Sequence, residues 1–234
     1  MNRRVQGHID SGTPGPFYYH LSTCTQSQDF WHEVLSIVRK TSTLRTTLRQ
    51  RRRSLSARQQ HQAATDIGQH LDQLWQYKGA RRIAYYLAND GEICPQSSIT
   101  RLEKRGKHTY LPLLHPLKTN RLYFAPHQKP DPLRRNRFGI GEPPLGKNPL
   151  APIWTLDVIL LPLVGFDRRG NRMGMGGGFY DRTLARLKNS AMKRPLLIGL
   201  AHHCQEVERL QAQHWDIPLD IIATDKELIH IDST

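Results

Sequence analysis

A chain of 234 residues with a net charge of +14 and a pI near 10.1 is long enough to bury a sizeable core and favours anionic partners: nucleic acid, nucleotides or polyanionic metabolites. No apolar run reaches the length needed to cross a bilayer. Cys24, Cys94 and Cys204 are odd in number and widely spaced, which argues against a disulfide framework or a zinc knuckle and makes a reducing, cytoplasmic compartment the expectation.

Met1 to Pro16 are Gly-, Pro-, Ser- and His-rich without periodicity, and no continuous apolar segment of a secretory signal follows the start. Residues 1–40 are therefore expected to form a poorly ordered extension, although Phe30, Trp31, Val34, Leu35 and Val38 fall at helical spacing. Residues 41–234 are expected to form one domain. Arg45, Arg49, Arg51, Arg52, Arg53 and Arg58 then occur with no acid among them, while Leu44, Leu48 and Leu55 suit one helix face. Such a cluster reads as a solvated face or a nucleic-acid surface, or as a helix from which an arginine reaches a nucleotide phosphate. Ser54 and Ser56 offer caps for a second helix running to about Trp75.

A strand over 82–88, a helix over 97–105 stopped at Gly106, and a strand over 108–114 make a βαβ unit, which implies a parallel sheet. Glu92 lies just past the carboxyl end of the first strand, the edge where open α/β sheets bind ligands; a solvent-exposed turn residue is the plainer reading. A short strand over 121–125 leads into a Pro- and Gly-rich segment, 126–152, of the kind that forms lids or binding loops. Within it Phe138 either stacks on a ring or anchors the loop to the core. The most hydrophobic run, 156–164, is the best central strand. Another strand over 196–201 precedes His202-His203-Cys204, whose side chains are adjacent in sequence and match no recognised metal spacing. A short helix over 206–213, a turn at Trp215–Asp220 and strands over 221–224 and 228–231 close the chain. The class is α/β, three-layered (α/β/α) with a mostly parallel sheet, Rossmann-like.

Between the central strand and a helix expected over 180–191 stands Arg172-Met173-Gly174-Met175-Gly176-Gly177-Gly178-Phe179-Tyr180-Asp181, with four glycines in five positions. Glycine permits positive φ and leaves no Cβ between main chain and ligand. A strand, a glycine loop and a helix start together suit an anion, with Arg172 adding a full charge. The spacing matches neither G-x-x-x-x-G-K-[ST] nor G-x-G-x-x-G, so a flexible turn stands beside the phosphate reading. Asp181 suits either a helix N-terminus or a magnesium ion, which is commonly held by one or two carboxylates plus phosphates; Asp216 is a candidate second carboxylate.

The run Asn171–Asp181 resembles the signature of the 5-formyltetrahydrofolate cyclo-ligase (methenyltetrahydrofolate synthetase) family. Leu160–Asp167, Gly91-Glu92-Ile93, Leu111-Pro112, Phe138–Pro143 and Trp215–Pro218 fall in the expected order around it. The resemblance covers about residues 41 to 225. It implies Mg-ATP-dependent conversion of 5-formyltetrahydrofolate to 5,10-methenyltetrahydrofolate, with Mg²⁺ as the metal and ATP as co-substrate. It implies that Arg45 and Arg172, Met173, Gly174, Met175, Gly176, Gly177, Gly178, Phe179 and Tyr180 line ATP, with Arg172 and Tyr180 catalytic. Met175 to Phe179 would also border the folate, Leu87 and Glu92 would contact the pterin, and Asp181 and Asp216 would hold the metal. A monomer without specific nucleic-acid or membrane partners is expected. Two departures stand out. The family's lysine four positions before Arg45 is replaced by Thr41, so either Lys40, one step away, takes its place on ATP or the lysine contact is missing. Cys94-Pro95 follows the glutamate where the family has an acidic or amide residue and then threonine.

Overall fold

The computed structural model describes residues 25–128, 130–146, 149–187 and 193–232. The stretch Met1–Pro16, Cys24, Lys129 and the expected helix end at 188–191 lie outside them. Contacts divide the chain into two units at Thr41/Ser42, within helix α1 (Thr25–Arg53). In the first unit the described residues are helical from Thr25 onward. The second unit, Ser42–Thr234, carries the sheet.

In the second unit α1 ends at Arg53, and Ser56 caps α2 (Ala57–Gln73) through a capping box with Gln59, the expected second helix. After the short α3 (Trp75–Gly79) comes β1 (Arg82–Ala84), then α4 (Gln96–Lys104) and β2 (His108–Leu114). β1 is shorter than its apolar run: beyond Ala84 only Tyr85 N–H still reaches Tyr110 O, at 2.9 Å. Gly106 ends α4 at φ 73°, as its position suggested. β3 (Leu122–Pro126) returns antiparallel to β2. The expected lid contains a small hairpin, β4 (Arg134–Arg135) and β5 (Gly141–Glu142). β6 (Val158–Pro162) leads to a second hairpin, β7 (Gly165–Phe166) and β8 (Arg172–Met173), and to α5 (Phe179–Leu184). β9 (Leu196–Leu200), β10 (Ile221–Ala223) and β11 (Leu228–His230) complete the chain.

The seven-stranded sheet has the order β11-β10-β9-β6-β1-β2-β3. The five central strands are parallel and the two edge strands antiparallel. Residues alternate between two buried faces, as the strand period requires. Ile83, Val158, Leu160, Ile198 and Ile221 pack under α2, α3 and α4 through Ile67, Leu71, Tyr77 and Ile99. Ala84, Ile159, Leu161, Leu197 and Ile222 pack on the other side against Leu184, Phe166, Ile217 and Leu219. This is the expected α/β class with helices on both faces, the opposite side being covered by one short helix and by ordered loops. The helix expected over 206–213 does not form. Glu206 forms a β-bridge with Phe166, Val207 N–H bonds to Phe166 O at 2.9 Å, and Leu210 N–H, which a helix would have aimed at Glu206 O, goes to Asp167 Oδ2 at 2.9 Å, so the β7–β8 hairpin holds the segment out of helix. The helix expected from Tyr180 is likewise brief: α5 has six residues and passes into a 3-10 turn, Ala185–Leu187.

Candidate active site

The strand order reverses at the β1/β6 boundary, since the chain proceeds from β1 outward to β2 and later from β6 outward to β9. The crevice beyond the carboxyl ends of such a pair is where open α/β sheets place ligands. Two loops meet there.

The first follows β1. Asn89 to Glu92 form a tight turn: Glu92 N–H bonds to Asn89 O at 3.0 Å and Asn89 N–H to Glu92 Oε2 at 3.1 Å. Asp90 (φ 54°) and Gly91 (φ 75°) are both left-handed, and a Cβ on Gly91 would meet Arg52 O at 3.3 Å, so glycine fits on both counts. Three arginines of α1 converge on this turn. Arg49 Nε donates to Asp90 Oδ2 at 2.8 Å, Arg53 to Asp90 Oδ1, and Arg52 to both Asp90 O and Asp90 Oδ2 at 2.8 Å. Arg52 is fully buried; its Nη1 reaches Leu163 O at 3.1 Å and its Nη2 lies 3.8 Å from Glu92 Oε1. It therefore bridges the ends of β1 and β6. Burial alone would raise the Asp90 carboxyl, but hydrogen bonds from Arg49, Arg53 and Arg52 outweigh it and hold the group at about 2. Glu92 goes the other way: burial pushes it up to about 7, against the opposing charge of Arg52. Burial, reinforced by Glu92, also raises Tyr86 and Tyr180, so both hydroxyls are donors at neutral pH. Tyr86 already donates to Ile93 O at 2.6 Å.

The second loop is the glycine stretch, launched from β8. Asp167, fully buried, organises the hairpin before it by accepting from Arg169 N–H, Asn171 N–H and Asn171 Nδ2 at 2.9–3.1 Å. Gly178 is the N-cap of α5 at φ 60°, ψ 27°, and Gly176 has φ 93°. Among the described residues' hydrogen bonds, none is donated by the N–H of Met175, Gly176, Gly177 or Gly178, so these donors remain for a ligand. Arg45 of α1 holds the loop from the side, its Nε donating to Gly174 O at 2.9 Å. A six-residue helix adds little dipole, so the anion-binding capacity lies in these N–H groups and in the two arginines.

Arg172 spans the stretch. Its guanidinium donates to Asp181 Oδ1 and to Ile217 O, and Ile217 N–H reaches Asp181 Oδ1 at 3.3 Å. The residue after Asp216 is thus seated against Asp181. Asp216 Oδ2 accepts from Gln213 N–H at 2.9 Å. Asp181 Oδ2 and Asp216 Oδ1 accept no hydrogen bond among the described residues, so each carboxylate keeps an oxygen for a hard cation.

The β4–β5 hairpin covers this region. Phe138, half exposed at its tip, meets the Phe179 ring edge-on at 5.8 Å, and Arg137 lies over Phe138 at 5.0 Å. At its base Leu87 Cδ1 comes within 3.2 Å of where a Gly141 Cβ would stand. A cleft of about 390 Å³, lined by Lys118, Arg121, Arg134, Arg135 and Arg137, opens from Phe179.

The model of the 5-formyltetrahydrofolate cyclo-ligase family matches residues 37–225. The 5-formyltetrahydrofolate cyclo-ligase of Haemophilus influenzae is 43% identical over 180 residues, covering 77% of this chain and 95% of that protein. That of Escherichia coli K12 is 40% identical over 177 residues, 76% and 96% of the two chains. The chain belongs to the 5-formyltetrahydrofolate cyclo-ligase family. Among solved structures, the 5,10-methenyltetrahydrofolate synthetase of Aquifex aeolicus superposes with a TM-score of 0.69 at 27% identity, covering 83% of this chain and 94% of that one.

Of the residues expected from the cyclo-ligase resemblance, the structure gathers Arg45, Arg172, Gly174 through Asp181, Asp216, Leu87 and Glu92 around the two loops. The Met173 side chain packs with Leu48, Val164 and Leu210 in a small core cluster, which leaves only its backbone for a ligand. Met175 stands exposed. Lys40 is exposed on α1 in the first unit. The nucleic-acid reading of Arg45–Arg58 loses part of its basis, since Arg49, Arg52 and Arg53 are paired with Asp90 and Arg52 is buried. His202 is buried apart from a group formed by His203, Glu206 and Glu227, where Arg168 bridges the two carboxylates at 2.7 and 2.5 Å. Residue-by-residue reading of the sequence missed Arg52 and Asp90. Asp90 sits in a short polar turn like many others in sequence, and its arginine partners lie about 40 positions away.

Proposed function

We propose that this chain uses Mg-ATP to convert 5-formyltetrahydrofolate into 5,10-methenyltetrahydrofolate, releasing ADP and phosphate. The observation that carries the reading is the convergence, at one switch point, of a donor-rich glycine loop flanked by Arg45 and Arg172 with a largely buried carboxylate, Glu92. Family membership supports the same chemistry.

In this reading the free N–H groups of Met175 to Gly178 and the Arg45 and Arg172 guanidinium groups receive the ATP phosphates. Glu92, ionised, accepts from the exocyclic amine and ring N–H of the pterin, with Leu87 against the ring. Phe179 lies between the two subsites, and Phe138 closes over it and excludes water. The formyl oxygen attacks the γ-phosphorus as the bond to the ADP oxygen breaks. N10 then attacks the activated formyl carbon, loses its proton, and phosphate departs with the former formyl oxygen. Arg172 offsets charge on the transferring group, and Tyr180 remains a protonated donor beside it. Asp181 and Asp216 would hold the magnesium ion, which when bound supplies further neutralisation of phosphate charge. The protein's contribution is placement and electrostatics, with no covalent enzyme intermediate. Cytoplasmic placement and a monomeric state belong to the same proposal; the free thiols of Cys94 and Cys204 fit a reducing compartment.

Purified protein incubated with Mg-ATP and 5-formyltetrahydrofolate should produce the methenyl chromophore, with ADP formed in equal amount. Absence of product, or ATP hydrolysis indifferent to the folate, would overturn the reading.

A further inference from the structure

Successive turns of α1 hold both loops of the site. Arg45 grips Gly174 O of the glycine stretch; one turn on, Arg49 grips Asp90; one turn further, Arg52 and Arg53 grip it again. Arg52 has no freedom to move alone, because it is fully buried and its donors are committed to Asp90 O, Asp90 Oδ2 and Leu163 O. Gln60 adds a bond from its Nε2 to Arg52 O at 3.0 Å, with Gly91 O at 3.4 Å. A shift of α1 that lets Arg45 release Gly174 O and reach a phosphate is therefore carried to the turn that bears Glu92.

We propose that Asp90 is a positioning residue that couples the two substrate subsites: by clamping the Asn89–Glu92 turn to the helix that carries Arg45, it makes occupation of either subsite favour occupation of the other. The inference rests on the assignment of ATP to the glycine loop and folate to the Glu92 side. Asp90 itself need touch neither ligand. Its effect passes through the Arg49, Arg52 and Arg53 contacts, and by thermodynamic linkage the enhancement is equal in the two directions.

The test is calorimetric titration of the whole protein with a non-hydrolysable Mg-ATP analogue and with 5-formyltetrahydrofolate, each alone and in the presence of saturating amounts of the other. The wild-type protein should bind each ligand about tenfold more tightly when the other is present, within the usual range of such couplings. Asp90→Asn should bind the ATP analogue alone as the wild type does and lose most of the enhancement. Asp90→Glu, which restores the charge, should recover part of it. A merely structural role for Asp90 would weaken both ligands and leave the ratio unchanged, and that outcome overturns the proposal. If Asp90→Asn does not fold, Arg49→Gln reads the same ratio with Arg52 and Arg53 left in place; an undiminished ratio there overturns the proposal equally. Failure of the wild-type protein to bind either ligand would instead remove the functional reading, and the coupling with it.

Discussion

Arg172 and Asp181, at the two ends of the glycine stretch, are ion-paired through Nη2 and Oδ1. The pair ties together the two ends of the stretch that carries the unbonded N–H groups of Met175 to Gly178. It also gives Asp181 a second duty beside any metal it holds, because its Oδ1 orients Arg172 while its Oδ2 stays open.

Asp181→Ala should therefore release Arg172 from its fixed position and, on the proposed function, remove one carboxylate from the magnesium site. Turnover is expected to fall at least about 100-fold, in line with losing one preorganised charge-stabilising element. Far-UV circular dichroism should be unchanged. A variant with full turnover would take Asp181 out of the site.

Glu92 links pH to both stability and binding. Its folded pKa of about 7 lies above the ordinary carboxylate value of 4.5, so the folded protein keeps this proton where the unfolded chain has lost it. The resulting stability is complete below about pH 4.5 and is lost as pH rises through 7, at a cost of about 3 kcal/mol once the group is ionised. Glu92→Gln should accordingly be more stable than the wild type at pH 8, by thermal denaturation, with the difference vanishing at pH 5. Folate binding should follow the opposite sense, because the pterin favours the carboxylate. The wild-type KM for 5-formyltetrahydrofolate should drop between pH 6 and 8, and the variant's should stay high and flat.

Phe138 is half exposed and meets Phe179 edge-on, so Phe138→Ala should leave stability within about 0.5 kcal/mol of wild type. If the hairpin closes over the site, the folate KM should rise severalfold, since an aromatic pair contributes about 0.5–1.5 kcal/mol. Equal KM values would show Phe138 to be a bystander.

Gly178 sits at φ 60°, and a Cβ there would come within 2.8 Å of Arg182 Nη1. Gly178→Ala should lose about 1 kcal/mol from the left-handed backbone alone. Gly178→Asn, which tolerates that conformation, should regain much of the stability yet retain a raised KM for ATP. Recovery of both would mean that backbone geometry, rather than clearance for phosphate, is what glycine supplies here.

Features held within a short span were legible in the sequence. The 108–114 strand, the Ser56 cap, the Gly106 stop and the glycine stretch each depend on neighbours a few residues away. Partnership across long separations was not. Arg49, Arg52 and Arg53 read as a solvated basic run because the acid that orders them is 37–41 positions distant. The helix expected over 206–213 failed for the same kind of reason: Phe166 and Asp167, about 40 residues earlier, claim its N–H groups. The lid hairpin escaped notice because two-residue strands carry no periodicity to detect.

The grip of α1 on the crevice also sets an order of assembly. Arg52 meets Leu163 across 111 positions and Arg45 meets Gly174 across 129. During synthesis Arg49, Arg52 and Arg53 can therefore meet Asp90 as soon as that turn has emerged, whereas Arg45 and the Nη1 of Arg52 wait for partners more than 100 positions further on. Contacts of such high sequence separation close late because the loop entropy is lost before they repay it. The crevice is thus completed in two stages, and a nascent chain stalled between residues 114 and 163 offers α1 the Asp90 turn but not yet the Leu163 carbonyl or the glycine stretch.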